Sequence, residues 1–246
     1  AAWNYNNSGY VLVGAVIESA SGMPWYTYLD KTFFQPLQMK HTGNGDERKA
    51  VIRGNVRGYT LANDHWTVAP YLSMTQPHAA GSLVSMVDDL LRWNRALHSG
   101  AVLSKSNYQQ LIAPAGKAVD SNYGFGIEHT TLRGKEVLEH SGGINGFNSM
   151  LIYLPESGTT VAVLENFDEG RKAMIGASEL GHRLAAYAIG NPYPERMAVA
   201  VDIETLKEYE GVYRIDKDSA RVLRVIDGQL VSQRTGGAKH AMIPVA

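Results

Sequence analysis

The sequence predicts an α+β fold, with an antiparallel sheet packed with helices and a helical, loop-rich region beside it. Three features point there. From Tyr123 onward the apolar pattern becomes short strand-like runs, at 123–129, 136–140, 148–154 and 159–166. The last two flank Pro155-Glu156-Ser157-Gly158, a turn sequence that makes them a hairpin. A helical pattern over 171–189 follows, with Met174, Ile175, Leu180, Leu184 and Tyr187 on one side, as a helix covering a sheet requires.

Upstream of the strands, Ser8 to Ser21 reads as a helix. Val11, Leu12, Val13, Ala15, Val16 and Ile17 make it apolar nearly all round, which predicts burial. Gly22 is suited to end it in the left-handed conformation. Pro24 opens a helix over 25–34, and Pro36 stops it. Residues 43–82, rich in Gly, Asn and Pro, read as long loops with few regular elements. Ser85 and Asp88 resemble a capping box for a helix reaching about His98, with Gly100 behind it. Pro192 and Pro194 mark a linker. Short strands follow at 211–215, 222–226 and 229–233, the last two joined by a tight Asp227-Gly228 turn. The expected organisation is a main domain over 1–190, a linker over 191–204 and a partial β appendage over 205–246. That appendage is short for an independent domain.

Composition excludes several classes. A formal net charge of -1 over 246 residues gives no electrostatic basis for binding nucleic acid. No apolar run is long enough to span a bilayer. With no cysteine there are no disulfides, thiolate metal sites or thiol nucleophiles. No phosphate loop and no His-Glu-x-x-His pattern occurs, so no cofactor or metal is expected. The Asp88-Asp89 pair suits the start of a helix rather than a catalytic carboxylate pair.

Two motifs carry chemistry. Trp3-Asn4-Tyr5-Asn6-Asn7-Ser8-Gly9-Tyr10 runs into the apolar helix, and His140-Ser141-Gly142-Gly143 lies on a predicted strand before Phe147 to Leu154. In order, spacing and context they resemble the Tyr-x-Asn and Lys-Thr-Gly motifs of the serine beta-lactamase and penicillin-binding-protein-like family, the latter in its His-x-Gly form. Ala80-Gly81-Ser82-Leu83-Val84-Ser85 with Asp88, Asp89, Leu90 and Trp93, and Pro36-Leu37-Gln38-Met39, fit the same family. The resemblance covers about residues 3–190 and implies a beta-lactamase/transpeptidase-like fold.

It also implies acyl transfer, in which a serine attacks an amide, lactam or ester carbonyl while a base takes its proton. Tyr5 would hold the proton path, and cations beside it would have to bring a phenol toward working pH. Asn7 would bind the substrate amide and orient a lysine. His140 would donate near the tyrosine and the substrate carboxylate; as histidine it need not be charged, which weakens carboxylate attraction and points to peptidases and esterases rather than a strong beta-lactamase. Ser141 and Gly142 would bind substrate, Gly142 by letting its backbone approach. The Gly143 N–H would be one of two oxyanion-hole donors. The plainer alternatives are a helix-opening turn capped by asparagine at Tyr5–Asn7, and a strand end with a glycine turn at 140–143.

No serine of the chain has a lysine three residues later. The family's Ser-x-x-Lys precedes its tyrosine motif, so the expectation is a fragment that lacks the nucleophile, is inactive by itself and self-associates through an unpaired sheet edge. The partner would be a small-molecule or peptide substrate, and the location periplasmic or secreted. The alternative is a catalytically inactive member that binds peptide or cell-wall ligands.

Overall fold

The structure, a computed structural model, describes residues 3–46, 54–63, 65–168, 175–194 and 197–245. The chain divides into two compact units, Ala1–Tyr193 and Pro194–Ala246.

The first unit opens with α1 (Asn7–Ser21), closed by Gly22 at φ 68°. Helix α2 (Trp25–Leu29) follows Pro24 and widens into a π-type turn, Asp30–Phe34, that ends before Pro36. The stretch expected as loops contains a two-residue strand β1 (Gly43–Asn44) and a hairpin of β2 (Tyr59–Ala62) and β3 (His65–Val68). Strand β4 (Leu83–Val84) pairs with β1. Composition concealed these strands because they are short and lie between glycines and prolines. Next come α3 (Val87–His98) and α4 (Lys105–Ile112).

The main sheet then forms from consecutive antiparallel strands: β5 (Glu128–Leu132), β6 (Lys135–Ile144), β7 (Phe147–Leu154) and β8 (Thr159–Glu165). Helix α5 (Ala177–Ala188) covers it. Met150, Ile152 and Leu154 alternate inward on β7 and pack with Val137, Val163, Ala185 and Ala186 in the core. Gly181 gives the close approach here, since a β-carbon on it would stand 3.0 Å from Met150. On the same face buried Glu139 of β6 faces His182 of α5, with 2.8 Å between Oε2 and Nε2. The part of the expected helix that includes Met174 lies outside the described residues.

Three sequence expectations change. The strand proposed at 123–129 begins at Glu128 instead. Gly124 packs so tightly that a β-carbon would meet the Leu111 and Ile112 carbonyls at 2.6 and 2.7 Å, and Gly126 has φ 82°. The capping box also fails: the residue before α3 is Met86, with no side-chain cap, and the Ser85 hydroxyl pairs with Thr42 at 2.7 Å. The apolar helix α1, finally, is not buried. Gly14 alone is fully covered, against His78 and Ala79, while Leu12, Val13 and Val16 are 66%, 47% and 66% exposed. Periodicity finds the apolar faces of a helix but does not say which elements cover them.

Two polar knots fix the layer on the other face of the sheet. Asp89 is fully buried and accepts from the His41 N–H at 2.7 Å, the Thr42 hydroxyl at 3.0 Å and Arg92 at 2.8 Å. It ties the chain after α2 to α3, in whose first turn both Asp88 and Asp89 stand, as expected of helix-start acids. His98 stacks on Tyr153 with ring centroids 3.8 Å apart. The acceptor Asn94 Oδ1 lies 3.2 Å from Nε2, so Nε2 carries the proton and Nδ1 accepts from the Tyr108 hydroxyl at 2.7 Å. Asn94 Nδ2 donates on to Thr160 at 2.9 Å, so α3, α4 and the sheet share one network.

The second unit holds α6 (Ile203–Glu208), capped by Asp202, and a sheet of β9 (Gly211–Arg214), β10 (Ala220–Ile226), β11 (Gln229–Arg234) and β12 (Lys239–Ala241). Asp227 and Gly228 both take positive φ, 51° and 77°, which is the geometry of a two-residue type I′ hairpin.

Two outcomes follow. Asp89→Ala leaves buried donors at His41 and Thr42 without their acceptor, and should cost about 3 kcal/mol of unfolding free energy in a urea titration. Burial holds the His98 pKa down at about 4. The unfolded chain, with a histidine near ~6.5, then binds a proton that the native state refuses between those two values. Stability therefore falls as pH falls through that window. His98→Gln should flatten the fall in melting temperature between about pH 7 and about pH 4; parallel slopes for the two proteins would reject this.

Candidate active site

Helix α1 begins where Asn6 turns extended, at φ -155° and ψ 144°, and its Oδ1 accepts from the Gly9 N–H at 2.8 Å. Asn6 is therefore the cap, so a helix-opening turn capped by asparagine does occupy 5–7, with Asn7 as the first residue of the helix. Asn7 Oδ1 instead accepts from the Tyr5 hydroxyl at 3.4 Å, a long bond between two exposed side chains.

Strand β6 brings the second motif to the first. It runs beyond β5, which pairs it only as far as Glu139, and continues against β7 to Ile144. His140-Ser141-Gly142-Gly143 thus lies inside a strand, not at a strand end. The β5-side edge of this stretch has no strand partner among the described residues. Such an edge can receive an extended substrate.

His140 lies across from Leu151, on the face opposite α5, with its ring 6.1 Å from the Tyr5 ring. Its Nε2 is 2.7 Å from the Tyr123 hydroxyl, and its Nδ1 is 2.6 Å from the Ser141 carbonyl. Ser141 lies across from Met150, so alternation turns its side chain toward α5 and away from Tyr5. The structure brings Ser141 to His140 through its backbone only. Gly142 pairs with Ser149, whose Oγ would lie 2.7 Å from an added β-carbon. Gly143 pairs with Asn148, whose amide donates to the Phe167 and Asp168 carbonyls at 3.0 and 3.2 Å. Ser141, Gly142, Gly143, Asn148, Ser149 and the first turn of α5 line an open cleft.

Sequence reasoning missed Tyr123. It starts a Tyr-Gly-Phe-Gly turn that reads as a strand by pattern, and two glycines in four residues were the available signal. The turn closes with Gly124 N–H on the Ile127 carbonyl at 2.8 Å and Phe125 N–H on the Leu111 carbonyl at 2.9 Å. Trp3, Tyr5 and His140 surround the Tyr123 ring at centroid distances of 5.4, 5.8 and 5.8 Å. Burial pushes the Tyr123 hydroxyl far above the ordinary tyrosine value, and Tyr10, Tyr5 and Glu128 push the same way. Tyr10 of α1 is also raised, by burial and then by Tyr5.

The hairpin β2–β3 meets the far end of β6. Gly58 and Gly146 touch backbone to backbone: a β-carbon on either would fall within 2.7 Å of the other's main chain. Gly146, at φ 78°, donates its N–H to Asp168 at 2.7 Å, and Asn145 donates to the Pro70 carbonyl at 3.1 Å. Among the described residues no three His, Asp or Glu side chains stand together as metal ligands.

Residues 1–185 match the family described as Beta-lactamase. Penicillin-binding protein 4* of Bacillus subtilis is 27% identical over 98% of this chain and 57% of its own length. A D-aminopeptidase of Gluconobacter oxydans is 24% identical over 79% of this chain and 36% of its own. The chain thus spans between about a third and somewhat more than half of these relatives. Among solved structures, D-amino acid amidase from Ochrobactrum anthropi SV3 superposes with a TM-score of 0.64 at 26% identity, over 76% of this chain and 57% of that one. The four-stranded antiparallel sheet under α5 and the match over three quarters of its residues lead to one conclusion: the chain belongs to the Beta-lactamase family, with penicillin-binding proteins and D-aminopeptidases among its relatives.

Proposed function

We propose that this chain supplies one side of the active site of a serine acyl hydrolase, which cleaves amide, peptide or ester bonds through an acyl-enzyme. The observation that carries the reading is the meeting of Tyr5, Asn7 and His140, from segments far apart in sequence, on one face of the sheet. The names of the D-aminopeptidase and D-amino acid amidase relatives support a substrate with a D-residue on the acyl side.

The reaction needs a serine that this chain does not hold in the required Ser-x-x-Lys pattern. In this proposal a segment outside these 246 residues carries it. Its hydroxyl attacks the carbonyl, and its proton passes through Tyr5 to the leaving amine or alcohol as the C–N or C–O bond breaks. Asn7 binds the substrate amide. The Gly143 N–H stabilises the developing oxyanion together with a second backbone donor. Water then releases the acid. Such substrates place the protein in the periplasm or outside the cell. The described helices include none long and apolar enough to cross a membrane.

The same reading accounts for two uncovered surfaces, the Leu12, Val13 and Val16 face of α1 and the outer edge of β8, which pairs with no strand among the described residues. By itself the chain should therefore self-associate. Sedimentation of these 246 residues as a clean monomer with a cooperative melt would count against this.

Intact-mass spectrometry with a fluorophosphonate or a labelled penicillin tests the proposal directly. No adduct is expected on these residues alone, and one adduct on a form extended upstream. An adduct on this chain would place the nucleophile among its own serines. None on either form would make the protein a binding member without catalysis. In the extended form, Tyr5→Phe should lower kcat by about 10²- to 10⁴-fold.

A further inference from the structure

We infer that Tyr123 is a positioning residue that occupies His140 Nε2 as an acceptor, so that this end of the site selects substrates without a free carboxylate. The inference rests on the proposed reading of His140 as part of the active site. A carbonyl oxygen only accepts, so the 2.6 Å contact between Nδ1 and the Ser141 carbonyl places a proton on Nδ1. In a neutral ring Nε2 then carries a lone pair, and the Tyr123 hydroxyl donates to it across 2.7 Å. A phenol held above its ordinary pKa by burial keeps the proton that this bond requires.

The ring cannot exchange its two nitrogens without breaking both bonds. Tyr123 itself is held by the tight turn at Gly124 and by Trp3 and Tyr5 against its ring. With Nδ1–H on the Ser141 carbonyl and Nε2 on the Tyr123 hydroxyl, His140 has no free N–H to offer. A lysine at this strand position would present an ammonium to an anionic substrate end. Here the neighbours of that position are the aromatic rings of Tyr5 and Tyr123, with Trp3 behind Tyr123, and the charged group that acts on Tyr123 is the acidic Glu128. A free carboxylate gains nothing from such a lining and loses its water. An uncharged amide or ester end is accepted without that loss. The donor role that the family resemblance implies for His140 passes out of use, and its nitrogens serve to hold the strand and Tyr123 in register.

Two measurements test this. Histidine nitrogen NMR of the protein, with the His140 signals assigned through His140→Gln, should show a protonated Nδ1 and an unprotonated, hydrogen-bonded Nε2. Tyr123→Phe keeps the ring packing and removes only the hydroxyl; it should move the Nε2 resonance to that of an unbonded imidazole nitrogen and leave the melting temperature unchanged. A protonated Nε2 in the native protein, or an Nε2 signal indifferent to Tyr123→Phe, would overturn the inference. In the upstream-extended enzyme, a D-amino acid amide should be turned over with a kcat/KM at least about tenfold above that of the corresponding peptide with a free carboxylate. Tyr123→Phe should lower kcat on the amide by about 10- to 100-fold with little change in KM. Preference for the free carboxylate would also overturn it. Absence of all hydrolysis, with the nitrogen spectrum as expected, would reject the proposed activity and leave the positioning of His140 intact.

Discussion

Strand β6 must satisfy two faces at once, and the rest of the first unit follows from that constraint. Its odd-numbered residues Val137, Glu139 and Ser141 belong to the α5 side, where burial and the Glu139–His182 contact hold the strand in register. Its even-numbered His140 and Gly142 lie on the other side, toward Tyr5 and Tyr123. A slip of one residue would put a histidine into the hydrophobic core and a valine into the site. The packing of α5 is therefore also what aims His140.

The opposite layer adds satisfied polar groups to buried apolar side chains such as Phe34, Met39 and Leu97. Asp89 and His98 are each enclosed by partners that match a single protonation state: donors around the carboxylate, and one donor with one acceptor around the imidazole. Such knots specify geometry because each alternative leaves a group unpaired. The site shares this character. His140 has an internal partner at each nitrogen, while the Tyr5–Asn7 bond is long and exposed.

What the sequence made legible was local. The alternation in β7 and β8, the caps at Gly22 and the Asp227-Gly228 turn each depend on residues adjacent in the chain, and each appears where expected. Tyr5 with Asn7 and His140 with Gly143 stood out as patterns, although pattern alone could not say that Ser141 faces away. Tyr123 escaped because its importance lies in a hydroxyl that meets His140 across the sheet, while locally it belongs to a glycine turn that reads like a strand. The burial of α1 was misjudged for a related reason. An apolar helix surface is visible in sequence, but whether anything in the same chain covers it is not.

The order of the strands bears on how the molecule comes together. Strands β5 to β8 are neighbours in sequence as well as in space, so each hairpin closes a short loop at little entropic cost. Tyr5 meets His140 only after most of the first unit has been threaded between them. Local contacts form early and distant ones late. The scaffold is thus a fast-forming object, and the chemistry is the slow, final closure upon it. A defect in the sheet would appear as a failure to fold, whereas one near Trp3 or Tyr5 would leave a well-folded protein whose two halves of the site never meet.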